Sequence, residues 1–179
     1  MPYRRLFLFV EGDDDERFLR QVGLPAWERA YDDVRFVKFS QQKKQKVEGY
    51  LRSVKAMGAD YVWIEDLDRN PCASSAKELL LRRQSSLDPA RVQIVKAEIE
   101  SWYCAGIPGD DPDYGTLRIA TCAETGEVTK EVFDDAIGRT GTLRIPVLLA
   151  LLERFDVETA ARRNGSFRYF LSKFLGGGT

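Results

Sequence analysis

Four short apolar runs alternate with stretches of three- and four-residue hydrophobic periodicity, and this rhythm limits the chain to few architectures. Residues 4–10 are rich in Leu, Phe and Val, read as a buried strand, and end at the turn Glu11-Gly12. A helix capped by Asp13 or Asp14 follows, with Phe18, Leu19 and Val22 as its inward stripe. Residues 34–39 alternate like a second strand. In residues 43–57 the positions Val47, Tyr50, Leu51, Val54 and Met57 mark an amphipathic helix ending near Gly58. Residues 61–64 predict a third strand, 74–84 a helix, 91–95 a fourth strand and 99–105 another helix.

This order predicts an α/β fold: right-handed crossovers, a mainly parallel four-stranded sheet flanked by helices, and a ligand site beyond the carboxyl ends of the strands. The expected organisation is one domain over residues 1–175, with an α/β core in 1–110, a mainly helical extension in 111–175, and a flexible tail in 176–179. Within the extension, Val147, Leu148, Leu151, Leu152 and Phe155 mark one helix. Phe167, Phe170, Leu171 and Phe174 mark another, capped by Ser166 after Gly165. Residues 116–121 read as an extra strand leading to a turn at Glu124 to Glu127. Asp110, Asp111 and Asp113 read as turn residues, since their spacing is not that of an EF-hand.

The 179 residues contain no histidine, which excludes imidazole triads, His-ligated zinc and imidazole acid–base catalysis. Cys72, Cys104 and Cys122 are odd in number and widely spaced, so they are expected to be reduced and structural. No apolar run approaches the roughly 20 residues that span a bilayer, so no membrane partner is expected and the cytosol is the expected compartment. With 27 basic and 28 acidic residues there is no global field to attract a polyanion, so any contact with nucleic acid must be local. P-loop, dinucleotide-binding and nucleophile-elbow motifs are absent.

The acids concentrate where such a sheet places its site. Glu11 follows the first strand, Glu65, Asp66 and Asp68 the third, and Glu98 and Glu100 the fourth. Two carboxylates 4 Å apart repel by roughly 4 kcal/mol at an effective dielectric near 20, and a cation is the simplest compensation. Magnesium, or manganese in its place, suits such a set, because it takes oxygen ligands and keeps waters and substrate phosphate in its sphere. Solvation and capping also explain acids in these places: Asp13 to Glu16 fit a capped first turn, and Asp68-Arg69-Asn70-Pro71 fits a turn.

The segments Leu8-Phe9-Val10-Glu11-Gly12 and Ile64-Glu65-Asp66-Leu67-Asp68 resemble the strand-Glu and Asp-x-Asp signatures of Toprim domains. Glu98-Ile99-Glu100-Ser101-Trp102-Tyr103 and Asn164-Gly165-Ser166-Phe167-Arg168-Tyr169-Phe170 are similar to a stand-alone Toprim-like family of unknown function related to the OLD nucleases. The resemblance implies a Toprim-like, Rossmann-like sheet and a divalent-metal-dependent nuclease, in defence or repair. It implies Glu11 as metal ligand or general base, Asp66 and Asp68 as metal ligands, Asp15 as a further ligand one helical turn after Glu11, and Glu100 as another, with Glu98 its neighbour. Lys130 is the candidate catalytic lysine. OLD nucleases usually carry an ATPase, so a partner ATPase is an implied option.

Phosphate contacts need cations. Arg69, directly after the Asp-x-Asp segment, and Lys43, in the run Lys43, Lys44 and Lys46, are the candidates; Arg118, Arg144 and Arg168 have no assigned place. Trp102 and Tyr103 fit either base stacking or the core. Three functional readings follow: a nuclease acting on nucleic acid, DNA ahead of RNA; a phosphohydrolase with Asp66 as nucleophile and Asp68 as acid–base; and a binding module without turnover.

Overall fold

A computed structural model describes residues 3–108 and 125–176. The expectations for Asp110, Asp111, Asp113, Arg118, Cys122, Glu124 and the strand at 116–121 lie outside these residues.

The strands are β1 (Arg5–Val10), β2 (Asp33–Lys38), β3 (Asp60–Asp66) and β4 (Val92–Val95), forming one sheet in the order β2-β1-β3-β4. β1 pairs in parallel with both neighbours, Leu8 lying opposite Phe36 on β2 and Val62 on β3. The helices, in chain order, are α1 (Asp13–Val22), α2 (Leu24–Trp27), α3 (Lys44–Ala56), α4 (Ala73–Arg83), α5 (Glu100–Ala105), α6 (Lys130–Thr140), α7 (Arg144–Glu153), α8 (Val157–Arg163) and α9 (Gly165–Phe170). The α/β class and the mainly parallel four-stranded sheet flanked by helices are therefore as the alternation predicts.

Two compact units divide the chain, one formed by residues 1–94 with 174–179, the other by 95–173. In the first, β1 reads as a continuous apolar run because both its faces are covered. Phe7 and Phe9 pack on one face with Tyr61 and Trp63 of β3 and with Val47, Leu51 and Val54 of α3. Leu6, Leu8 and Val10, which the pleat turns to the other face, are equally buried. The Trp63 ring stacks on Phe9 at 5.3 Å and on Phe39 at 4.4 Å between centroids. The stripe of α3 is narrower than its periodicity suggests. Tyr50 and Met57 are 43% and 52% exposed, because both fall at the edge of the arc centred on Val47, Leu51 and Val54. The Trp27 indole N–H of α2 donates to the carbonyl of Phe174 at 2.9 Å, which ties the last segment to this unit.

In the second unit Trp102, Tyr103, Phe133, Phe167 and Phe170 are fully buried. Trp102 and Tyr103 are thus core residues. A buried polar network runs through this core. The Asn164 side-chain oxygen accepts from the backbone N–H groups of Ser166 and Phe167 and from the Ser166 hydroxyl, and its amide donates to Ser101 and Thr125. The Ser166 hydroxyl in turn accepts from the Trp102 indole at 2.8 Å and from the Lys96 N–H at 3.1 Å. The cap of α9 is therefore Asn164 and not Ser166: the Asn side chain is a strong cap in its own right and leaves the serine to receive Trp102.

Candidate functional site

The C-terminal ends of β1 and β3 lie side by side, because these strands are neighbours in register. From there Glu11 turns its carboxylate to the end of β3, where the Asp66 backbone N–H donates to it at 2.9 Å. Asp15, in the first turn of α1 and only 5% exposed, reaches back to accept the Gly12 N–H at 3.0 Å and so fixes the turn after Glu11. Asp68, two residues beyond Asp66, has a φ of +49°, a left-handed conformation that aspartate tolerates better than most residues. Such backbone is found disproportionately where a site fixes a side chain against local preference.

The electrostatics follow from this crowding. Burial pushes the pKa of Glu11 up to about 7; the Asp66 N–H opposes the rise, and the negative charges of Asp15, Asp68 and Glu65 add to it. At neutral pH the group is divided between carboxyl and carboxylate. Glu65, though adjacent to Asp66, has partners of its own. It accepts from the Trp63 indole at 2.9 Å and pairs with Arg83. Strand alternation explains this, since residues 63 and 65 share one face of β3 and residue 66 has the other.

An open cleft of about 560 Å³ adjoins Glu11, lined also by Asp13, Lys38, Gln42, Lys43 and Lys46. Its floor is tied to the sheet through the backbone, the Ser40 N–H donating to the Glu11 carbonyl at 3.3 Å and the Phe39 N–H to that of Val10 at 3.0 Å. Lys38 is held by Asp13 at 2.6 Å and Glu16 at 3.3 Å, so these acids of the first turn are already compensated. Lys46 belongs to the lysine run considered for phosphate, whereas Lys38 was not predicted as part of a site. Lys38 is an ordinary strand-end residue in sequence, and its pairing with Asp13 spans 25 positions with no local signal.

The other predicted residues lie as follows. Arg69 is exposed and makes no ion pair among the described residues. Glu98, Glu100 and Lys130 belong to the second unit. The Lys130 backbone N–H, at the start of α6, donates to Glu98. Glu100 is 3% exposed and pairs with Arg144, which also pairs with Asp134. Burial raises the pKa of Glu100, and Arg144 opposes the rise.

The chain matches no protein-family model and no curated protein. It is similar in structure to the C-terminal region of the Xanthomonas campestris pv. campestris OLD protein, at 14% identity and a TM-score of 0.40, over 97% of this chain and 93% of that one. The C-terminal region of the Burkholderia pseudomallei OLD protein is similar at 17% identity and a TM-score of 0.38, over 98% and 97% of the two chains. Likeness this distant assigns neither family nor activity.

Among the described residues, no three acidic side chains converge into a ready-made cation cage. What Glu11, Asp66 and Asp68 offer, with the buried Asp15 behind them, is a set of oxygen donors without histidine or thiolate. That donor chemistry fits a hard divalent cation held by one or two carboxylates with waters and substrate oxygens completing its sphere. No described helix is long and apolar enough to cross a membrane.

Proposed function

We propose that this chain is a Toprim-like, divalent-metal-dependent nuclease of the OLD type, hydrolysing phosphodiesters of nucleic acid, with DNA ahead of RNA as substrate. The observation that carries this reading is Glu11, fixed by the Asp66 N–H at a strand end and so buried, with neighbouring negative charge adding to the effect, that its pKa rises to about 7. Perturbation of this kind, from burial and named charged neighbours beside a cleft, is the signature of a functional carboxylate.

In this reading Glu11, Asp66 and Asp68 hold magnesium or manganese, with Asp15 setting the turn that presents Glu11 and adding its charge. The metal would supply electrostatic stabilisation of the phosphate. If Glu11 is not itself a ligand, it is instead poised to accept a proton near neutral pH, the property of a general base and the alternative role that the resemblance implies for it. Arg69, exposed beside Asp68, would meet a phosphate with its bidentate guanidinium. Lys130 comes to the site from the resemblance alone and Glu100 from the resemblance and its place after the fourth strand, and the burial of Glu100 against Arg144 favours a structural role for it.

The test is cleavage of labelled single- and double-stranded DNA and RNA with magnesium or manganese, comparing native protein with Glu11→Gln and Asp66→Asn. Cleavage lost in both variants supports the nuclease. A folded protein that binds metal and cleaves none of the substrates supports a second reading, a nucleic-acid-binding module without turnover, which the lack of a closed acid cage among the described residues favours.

A further inference from the structure

We infer that the outer edge of β2 is an interface for a second copy of this chain, the two β2 strands pairing antiparallel about Phe36 so that one sheet runs through both copies. β2 has β1 on one side and no strand on the other among the described residues. It is also an apolar strand left incompletely covered. Val34, Phe36 and Val37 are only half-buried, whereas β1 is buried at five of its six positions.

An open edge presents unpaired N–H and C=O groups, and natural sheets guard it with proline, a bulge, a covering element or an outward charge. β2 lacks these guards. Its sequence Asp-Val-Arg-Phe-Val-Lys has no proline, and its register with β1 runs unbroken over all six residues, so there is no bulge. Among the described residues, no group hydrogen-bonds to its outer main chain. Its two cations are drawn back into the same copy. Lys38 is held by Asp13 and Glu16 of α1, and Arg35 by Asp33 at 2.7 Å.

The occupant follows from the strand's complementarity to itself. The Phe39 N–H donates to the Val10 carbonyl at 3.0 Å, so alternation turns the main chain of Arg35 and Val37 to β1 and that of Val34, Phe36 and Lys38 outward. An antiparallel copy centred on Phe36 sets Phe36 opposite the partner's Phe36 and Val34 opposite the partner's Lys38, all as hydrogen-bonded pairs. On the other face Arg35 meets the partner's Val37. No charge then lies opposite its like, and an aromatic pair stands at the centre, both of which favour pairing. Other arrangements fare worse. Centring on Arg35 opposes two guanidinium groups, and parallel pairing in register opposes every charge to its like. The Arg20 guanidinium lies over the Phe36 ring at 4.5 Å and holds it on the α1 face before a partner arrives. Because the two-fold axis is normal to the sheet, the carboxyl edges of the two copies point in opposite directions, and each presents its own Glu11. The inference does not depend on the nuclease reading.

Strand pairing buries less than a standard interface, so a dimer that dissociates in the micromolar range is expected. Sedimentation velocity of the full chain from low to high micromolar concentration reads it, with circular dichroism confirming that each variant is folded. Val34→Pro removes an outward N–H, at a place where an edge strand tolerates proline, and should weaken the dimer about tenfold or more. A second measurement is independent of that variant's folding. In a Cys72→Ser background, which removes an exposed thiol, Phe36→Cys should cross-link two copies under mild oxidation, since hydrogen-bonded partners have Cα atoms about 5.5 Å apart. Arg35→Cys should cross-link at least about tenfold more slowly, its counterpart being a diagonal neighbour about 7–8 Å away. Native protein that stays monomeric throughout, or a dimer that a folded Val34→Pro leaves at native affinity, overturns the inference. Equal cross-linking by Phe36→Cys and Arg35→Cys overturns the antiparallel register. Concentration-dependent dimers weakened by Val34→Pro and captured through Phe36→Cys uphold both.

Discussion

The Asp66 backbone N–H donates to the Glu11 carboxylate across 55 residues of sequence, so the ends of β1 and β3 are joined through the very group whose protonation is most perturbed. The hydrogen bond favours the charged form of Glu11, and burial with three neighbouring acids outweighs it.

Stability of the metal-free protein should therefore fall as pH rises. In the unfolded chain Glu11 loses its proton near the ordinary glutamate value, while in the folded protein it keeps it until about 7. Between those values the folded state binds more protons, so unfolding becomes easier, and above about 7 the effect is complete. Its upper bound is roughly 3 kcal/mol at 1.36 kcal/mol per pKa unit. Urea unfolding at pH 5 and pH 8 should show this loss in native protein and much less of it in Glu11→Gln; equal slopes in the two proteins would remove Glu11 as the cause.

Asp68 and Glu65 are separable by their surroundings. Asp68→Asn preserves a residue that accepts left-handed backbone, so folding should be unaffected while cleavage falls by about a hundredfold or more. Glu65→Gln keeps an acceptor for Trp63 and should leave cleavage within about threefold. Comparable losses in both would show that the strand end acts through its total charge.

Arg144→Met leaves Glu100 buried without its guanidinium and should destabilise the protein by about 3–5 kcal/mol. Adding Glu100→Leu should restore most of that loss. Thermal melts of the single and double variants decide it, and a double variant no better than the single would mean that Glu100 has a need beyond the pair.

Ser166→Ala withdraws the acceptor shared by the Trp102 indole and the Lys96 N–H, at an expected cost of about 1–3 kcal/mol by chemical denaturation. Near-ultraviolet dichroism of Trp102 should change with it. An unaltered midpoint would mean that another group or water replaces the hydroxyl.

The fold was legible where local chemistry and burial agree. β1 and β3 are apolar runs covered on both faces, and Val47, Leu51 and Val54 keep helical spacing, so both element types announced themselves. α2 did not, being four residues with a proline, and α8 reads Val-Glu-Thr-Ala-Ala-Arg-Arg with no apolar stripe. Position after a strand pointed equally to Glu11 and Glu100, because sequence order records which edge an acid follows and not which cation it meets. Arg144, 44 residues later, is the partner of Glu100. The motif beginning at Glu98 and the one beginning at Asn164 looked like functional signatures, yet their shared geometry is a buried hydrogen-bond network. Asn164 and Ser166 are both good caps, and only the three-dimensional neighbour of Ser166 distinguishes them.

The bond from Trp27 to Phe174 has a consequence for the order of assembly during synthesis. All four strands leave the ribosome while the carbonyl that will receive the indole is still untranslated, 147 residues behind it. The second unit is encoded between the two parts of the first, so it must be made before the first can close. A nascent chain arrested before Phe174 would carry a complete sheet with its final clasp missing.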